Sequence, residues 1–287
     1  MVLKASSFFF RDPADLDHES ELDFFSSIRL SNGTFKHTYG GRYRELNREL
    51  VRLLVRSGAA VGRVLDVGVS SGTTTLELLR DLREAGFSPR VTATDLSLEA
   101  YLVPLYPLCR ALVDGDGFPL QYELFGAAVR PWLRRRDYAD GMVVARWLVN
   151  RICGRRAREV LRRGEDVRPV RLVSPRLASR PEVEVLRDDI FRHNPALAAR
   201  FDLVRAANIL TRYYFGEEQL RRGIAHLRSY LAGPGALLLL ARTYHGRQDS
   251  HGTLFELMPD RRLRAVRRFG QGSELESLMV EAAPAGP

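Results

Sequence analysis

"RVLDVGVSSGTTTLELLRDL", residues 63–82, decides the fold. Val64, Leu65 and Val67 make an apolar, partly β-branched run, which predicts a buried strand. Gly68 and Gly72 frame a turn of small residues. "TTTLELLRDLREAG" (73–86) then has helical spacing and stops at Gly86. A strand that turns straight into a helix leaves backbone N–H groups at the helix N-terminus. Small residues let a ligand approach that backbone closely.

Working outward, the same alternation continues. "RYRELNRELVRLLVRSG" (42–58) predicts a helix, with Leu46, Leu50, Leu53 and Leu54 at helical spacing and Gly58 as its cap. Residues 90–97 read as a second strand with Asp95 at its end. A third, 182–191, ends in Asp188-Asp189, and a fourth covers 201–210. A helix over 217–233 leads to a fifth strand, 235–243. Residues 253–258 and 263–270 read as a closing antiparallel pair. Strands separated by helices imply an α/β fold, a mostly parallel three-layer Rossmann-like sheet with a C-terminal antiparallel strand.

Residues 98–180 interrupt this order, where a single helix would suffice. "ALVDGDGFPLQYEL" (111–124) reads as a hairpin, 138–163 as one long basic helix, and 167–181 as loop. The expected organisation is therefore a helical lead-in over 1–60, a core over 61–97 and 181–287, and a mainly helical basic insertion over 98–180. The stretch 101–137 is rich in aromatic residues (Tyr101, Tyr106, Phe118, Tyr122, Phe125) and is expected to cover a site and shape an acceptor pocket.

Lysine narrows the ligand of the turn. A phosphate-binding P-loop needs G-x-x-x-x-G-K-[ST], and here Thr73-Thr74-Thr75 follows Gly72. The Gly68-x-x-x-Gly72 spacing is similar to that of short-chain dehydrogenases, but those carry a Tyr-x-x-x-Lys pair. Lys4 and Lys36 are the only lysines in the chain, so that pair is missing.

"VLDVGVSSGTT" resembles motif I of the class I S-adenosylmethionine-dependent methyltransferases, roughly [D/E]-x-G-x-G-x-G. Asp66, Gly68 and Gly72 match it, and Ser70 stands at the middle glycine. The resemblance covers about 62–97 and 182–243 plus the closing pair. It implies a cofactor site of Asp66, Gly68, Ser70, Ser71 and Gly72, with Asp95 on the ribose hydroxyls. Asp188 or Asp189 would lie near the adenine and Asn208 beside the reactive methyl. A carboxylate at a strand end suits two hydroxyl donors on physical grounds as well. Asp95, Asp188, Asp189 and Asp66 also read as simple caps of turns or helices.

Methyl transfer from a sulfonium is an in-line displacement, so the protein mainly positions and desolvates. A base is needed only where the acceptor must lose a proton. His245, in "TYHGRQDSHGT" (243–253), is the candidate base, and Tyr214 a candidate to lie over the methyl group. No metal is expected, because no ligand pattern joins His245, Asp249 and His251.

The net charge is +9 over 287 residues, and it is concentrated. Residues 130–180 hold fifteen arginines against five acids. On the helix over 138–163, Val144, Trp147, Leu148 and Ile152 share one side. That pattern leaves three readings open: solvated arginines on a packed helix, peripheral contact with an anionic membrane, or phosphate contacts to nucleic acid. A small-molecule or lipid-like acceptor is favoured over nucleic acid. A non-enzymatic binding protein of the same fold is the other alternative, since Ser70 replaces a glycine. Two cysteines, no secretory signal and no uninterrupted apolar span predict a reduced cytoplasmic chain, or one peripheral at the inner face of the membrane.

Overall fold

In a computed structural model the structure describes residues 2–36, 38–244 and 249–281. Helices α1 (Ala5–Phe9), α2 (His18–Ser27) and α3 (Arg44–Ser57) precede strand β1 (Arg63–Val67), helix α4 (Thr73–Glu84) and strand β2 (Arg90–Asp95). Strands β3 (Glu99–Tyr106), β4 (Cys109–Asp114), β5 (Pro119–Leu124) and β6 (Ala127–Val129) follow. Next come α5 (Arg135–Ala139), α6 (Met142–Arg163), β7 (Arg168–Arg171) and α7 (Pro175–Ala178). The chain closes with β8 (Val183–Arg187), β9 (Leu203–Ala207), α8 (Glu217–Ser229), β10 (Leu237–Thr243), β11 (Ser250–Leu257), β12 (Leu263–Phe269) and α9 (Glu276–Glu281).

Two compact units share these elements. One is Tyr39–Leu96 with Arg180–Pro287, and the other is Met1–Thr38 with Ser97–Ser179. The first, the core unit, holds a seven-stranded sheet in the order β12-β11-β10-β9-β1-β2-β8. Five neighbouring strands, β10 to β8, are parallel, and β11 and β12 add on antiparallel. Leu46, Leu50 and Leu54 of α3 pack with Leu78, Leu79 and Leu82 of α4 on one face. Leu220, Ile224 and Leu227 of α8 pack with Leu278 and Met279 of α9 on the other. This is the doubly wound, Rossmann-like arrangement expected from the sequence. The chain moves outward through β1, β2 and β8, then returns to β9 on the far side of β1. The switch point therefore lies between β1 and β9, which is where such sheets bind ligands.

The second, the insertion unit, departs from the sequence reading at several points. It is not mainly helical, because a five-stranded antiparallel sheet, β6-β5-β4-β3-β7, is its centre. Both faces of that sheet are covered. Phe8, Phe24 and Phe25 pack with Ala100, Leu102 and Leu112 on one side, and Cys153, Ala157 and Val160 of α6 pack with Val103, Leu105 and Val113 on the other. Strands apolar on both faces lose the period-two pattern that would reveal them. Residues 168–171 form β7 beside β3, where loop is expected. The first 38 residues also belong here rather than to a lead-in reaching 60, while α3 belongs to the core unit. Gln121 accepts the Ala5 N–H at 2.8 Å, and Glu123 accepts the Ser6 N–H at 2.6 Å. The long basic helix is broken at Asp140-Gly141, where Gly141 takes a positive φ of 68°. The Asp-Gly-Asp-Gly hairpin forms as expected, with Asp114 accepting the Asp116 and Phe118 N–H groups.

Candidate cofactor site

The carboxyl ends of β1, β2, β8, β9 and β10 share one edge of the core unit, and the quoted turn sits among them. Gly68 and Val69 donate their N–H groups to the Thr94 carbonyl at 2.8 and 3.1 Å. This ties the turn to β2. Gly68 (φ 72°), Ser70 (φ 55°) and Gly72 (φ 84°) all adopt left-handed backbone. At Gly68 a side chain would be strained, since the φ is left-handed and a Cβ would lie 2.1 Å from Cγ2 of Ile209, which would have to shift. At Ser70 a serine carries a conformation that glycine adopts without strain.

Asp95 closes the turn. Its Oδ2 accepts the Ser70 N–H at 2.7 Å, so the acid at the tip of β2 and the middle of the turn are held together. Asp188 lies alongside, its N–H donating to the Asp95 carbonyl at 3.2 Å. The Asp188 carboxylate accepts Nδ2–H of Asn194 at 2.9 Å. Burial holds this carboxyl above the ordinary carboxylate range, while the Asn194 hydrogen bond pulls the other way. Asp189 caps its own loop through the Phe191 N–H at 3.0 Å.

Asn208 follows β9 with a φ of 59°. Its N–H donates to the Ala241 carbonyl (2.9 Å), and its Oδ1 accepts the Thr243 N–H (2.8 Å). It thus joins the ends of β9 and β10. Ser71 lies within hydrogen-bond distance of Thr73, Oγ to Oγ1 at 3.1 Å. Tyr213 and Tyr214 meet edge to face at 4.8 Å, and both are exposed. The candidate base His245 lies outside the described residues. Its neighbour in sequence His251 is on β11, where Nδ1 accepts the Gln271 N–H at 2.9 Å.

Asp66 does something other than face a ligand. It is buried, and its carboxylate is taken on both oxygens. Arg205 Nε–H donates to Oδ1 at 2.8 Å, Arg205 Nη2–H donates to Oδ2, and Thr75 donates to Oδ2 at 2.7 Å. Asp66 and Arg205 are register partners on β1 and β9. Burial works against the Arg205 charge, but Asp66 more than offsets it, so the guanidinium is held above its ordinary value. Asp66 therefore clamps β1 to β9 and to the first turn of α4, directly beneath the glycine turn. Sequence reasoning missed Arg205. The signal was present, as a charge in the middle of the otherwise apolar strand Leu203–Ala207, one strand away from Asp66.

No family model and no curated protein matches the sequence. Among solved structures the chain is similar to NodS, an N-methyltransferase from Bradyrhizobium japonicum in complex with S-adenosylhomocysteine. That likeness has 18% identity, 70% of this chain, 62% of that one and a TM-score of 0.33. It is also similar to CalS10, an amino pentose methyltransferase from Micromonospora echinaspora with S-adenosylmethionine bound (13% identity, 76% and 65% covered, TM-score 0.34). A third is the CMeT domain of the citrinin polyketide synthase (16% identity, 69% and 34% covered, TM-score 0.35). The chain spans from 34% to 65% of the length of these three.

Proposed function

We propose that the core unit binds S-adenosylmethionine at the carboxyl edge of its sheet and transfers the methyl group to a small-molecule or lipid-like acceptor. One observation carries this reading. The Asp95 carboxylate, at the tip of β2 and beside the switch point, is locked to the middle of the glycine turn through Ser70. The donor set fits the cofactor in kind. A carboxylate suits the paired ribose hydroxyls, a tight small-residue turn admits the ribose and amino-acid end, and Asp188 beside Asp95 suits an adenine amino group.

The bound cofactor would supply an activated methyl group and its own leaving group. The chain's part is to orient and to exclude water. The exposed pair Tyr213 and Tyr214 follows β9 on the same edge and supports an apolar or aromatic-compatible acceptor. A base enters only for an acceptor that must shed a proton, and His245 is the residue assigned to it.

Titration calorimetry with S-adenosylmethionine and S-adenosylhomocysteine tests the reading. Both ligands bind the parent chain. Asp95→Ala loses one or two charge-assisted hydrogen bonds and weakens both by about 10- to 100-fold. Absence of binding to the parent, or unchanged affinity in the variant, refutes it.

A further inference from the structure

Helix α6 faces its own sheet through Cys153, Ala157 and Val160. At about 3.6 residues per turn, the opposite line runs through Val144, Leu148, Arg151, Arg155, Arg158 and Arg162, with Trp147 and Ile152 on its flanks. All eight are exposed. Their order along the axis is graded: Val144, Trp147 and Leu148 come first, Arg151 and Ile152 sit in the middle, and Arg155, Arg158 and Arg162 come last. Trp147, the largest of them, is 58% exposed, with the Arg151 guanidinium 5.5 Å from its ring.

The arginines are not neutralised within the unit. Glu159 is taken by Arg156 and Arg163. Among the described residues no acid pairs with Arg151, Arg155, Arg158 or Arg162. Arg155, Arg158 and Arg162 line a depression of about 780 Å³ together with Gly115, Asp116, Glu159 and Leu161, so basic residues outnumber acidic ones there by three to two. Gly117, in the same hairpin turn, leaves the Arg158 stem its room, since a Cβ there would meet Arg158 Cγ at 2.5 Å.

We propose that the insertion unit docks through this face of α6 on an anionic lipid bilayer. Val144, Trp147 and Leu148 enter the headgroup–acyl boundary, and Arg155, Arg158 and Arg162 lie on lipid phosphates. Charge complementarity selects this occupant, because exposed arginines without an acid partner attract an anionic surface. The aliphatic half selects a bilayer over nucleic acid. Val144, Leu148 and Ile152 offer nothing to a phosphate backbone, and Trp147 is the one ring on this face that a base could stack on, against three aliphatic side chains that suit acyl chains. Among the described residues no helix is long and apolar enough to cross a membrane, so the contact is superficial.

The chain's two tryptophans separate the test cleanly. Trp132 is held inside the unit, its Nε1–H donating to the Ser27 carbonyl at 2.8 Å and its ring against Phe35 at 5.1 Å. Trp132→Phe leaves Trp147 as the reporter. The experiment is flotation of the full chain with phosphatidylcholine vesicles and with mixed phosphatidylcholine–phosphatidylglycerol vesicles, plus Trp147 fluorescence. Binding is expected only to the mixed vesicles, falling with salt, with a blue shift and quenching by brominated acyl chains. Arg155→Gln, Arg158→Gln and Arg162→Gln together lower partitioning about fivefold per arginine removed. Leu148→Ser removes the blue shift, and all variants keep the parent's circular dichroism. Binding to neither vesicle, equal binding to both, or salt-sensitive retention of RNA or DNA without vesicle binding overturns the proposal. Cofactor titration of the same proteins reads the core unit separately, so the two readings fail independently.

Discussion

The core unit and the insertion unit treat arginine in opposite ways. In the core unit Arg205 is fully buried, and Asp66 meets it with two hydrogen bonds across neighbouring strands. In the insertion unit the outward arginines of α6 stand in a row with no acid against them among the described residues. A charge taken out of water must be matched on site, whereas one left in water costs little and stays available to a partner. The first arrangement fixes the position of a turn. The second leaves a charged surface unspent.

That contrast breaks most easily at Arg205. Arg205→Met strands the Asp66 carboxylate inside the sheet and should cost about 3–5 kcal/mol in denaturant unfolding. Adding Asp66→Leu should return much of that loss, since two apolar side chains need no partner. If the single variant is as stable as the parent, the clamp is not what holds β1 to β9.

Ser70 is a smaller lever on the same turn. Ser70→Gly relieves a left-handed serine and should raise stability by about 0.5–1 kcal/mol, read as an upward shift in Tm. A lowered Tm would mean that the hydroxyl supports the turn.

Asp188 gives a pH signature of smaller size. A carboxyl raised in the folded state contributes stability below the ordinary carboxylate value and loses it as pH rises through the raised one. Asp188→Asn carries no charge, so its Tm should exceed the parent's at neutral pH. The gap should close as pH falls toward the ordinary carboxylate range. A gap that is flat with pH would remove burial of the charge as its cause.

At the far end of the comparison, Arg155→Gln, Arg158→Gln and Arg162→Gln should each leave stability within about 0.5 kcal/mol of the parent. A larger loss would show that these arginines serve the fold and are not held in reserve.

The core unit was legible because its signals are local. Strands such as β1, β9 and β10 are short, mostly apolar runs, α3, α4 and α8 have their own periodicity, and Asp95, Asp188 and Asn208 fall at strand ends by simple counting. In the insertion unit only the local parts, the hairpin of β4 and β5 and most of α6, were legible, because the rest is built from distant segments. Ala5 and Ser6 meet Gln121 and Glu123, and β7 pairs with β3 across the whole of α6. Period-two alternation failed there because both faces of β3 to β5 are buried. Asp66 was misplaced for a related reason: its partner Arg205 is distant in sequence and adjacent only once β1 and β9 are in register.

The interleaving of the two units also bears on how the sheet can close. β2 must pair with β8 across the entire insertion, and closing so long a loop is entropically costly. Pairing of Glu99 with Arg171 brings the two ends of that loop together. If the insertion collapses first, the loop left to close is several times shorter, which saves ~1.5 kcal/mol of closure entropy. Yet the insertion's own core needs Phe8, Phe24 and Phe25 from the start of the chain. The opening residues would then act as an early nucleus for a sheet made much later in synthesis, and the rate of core assembly would be governed from the other unit.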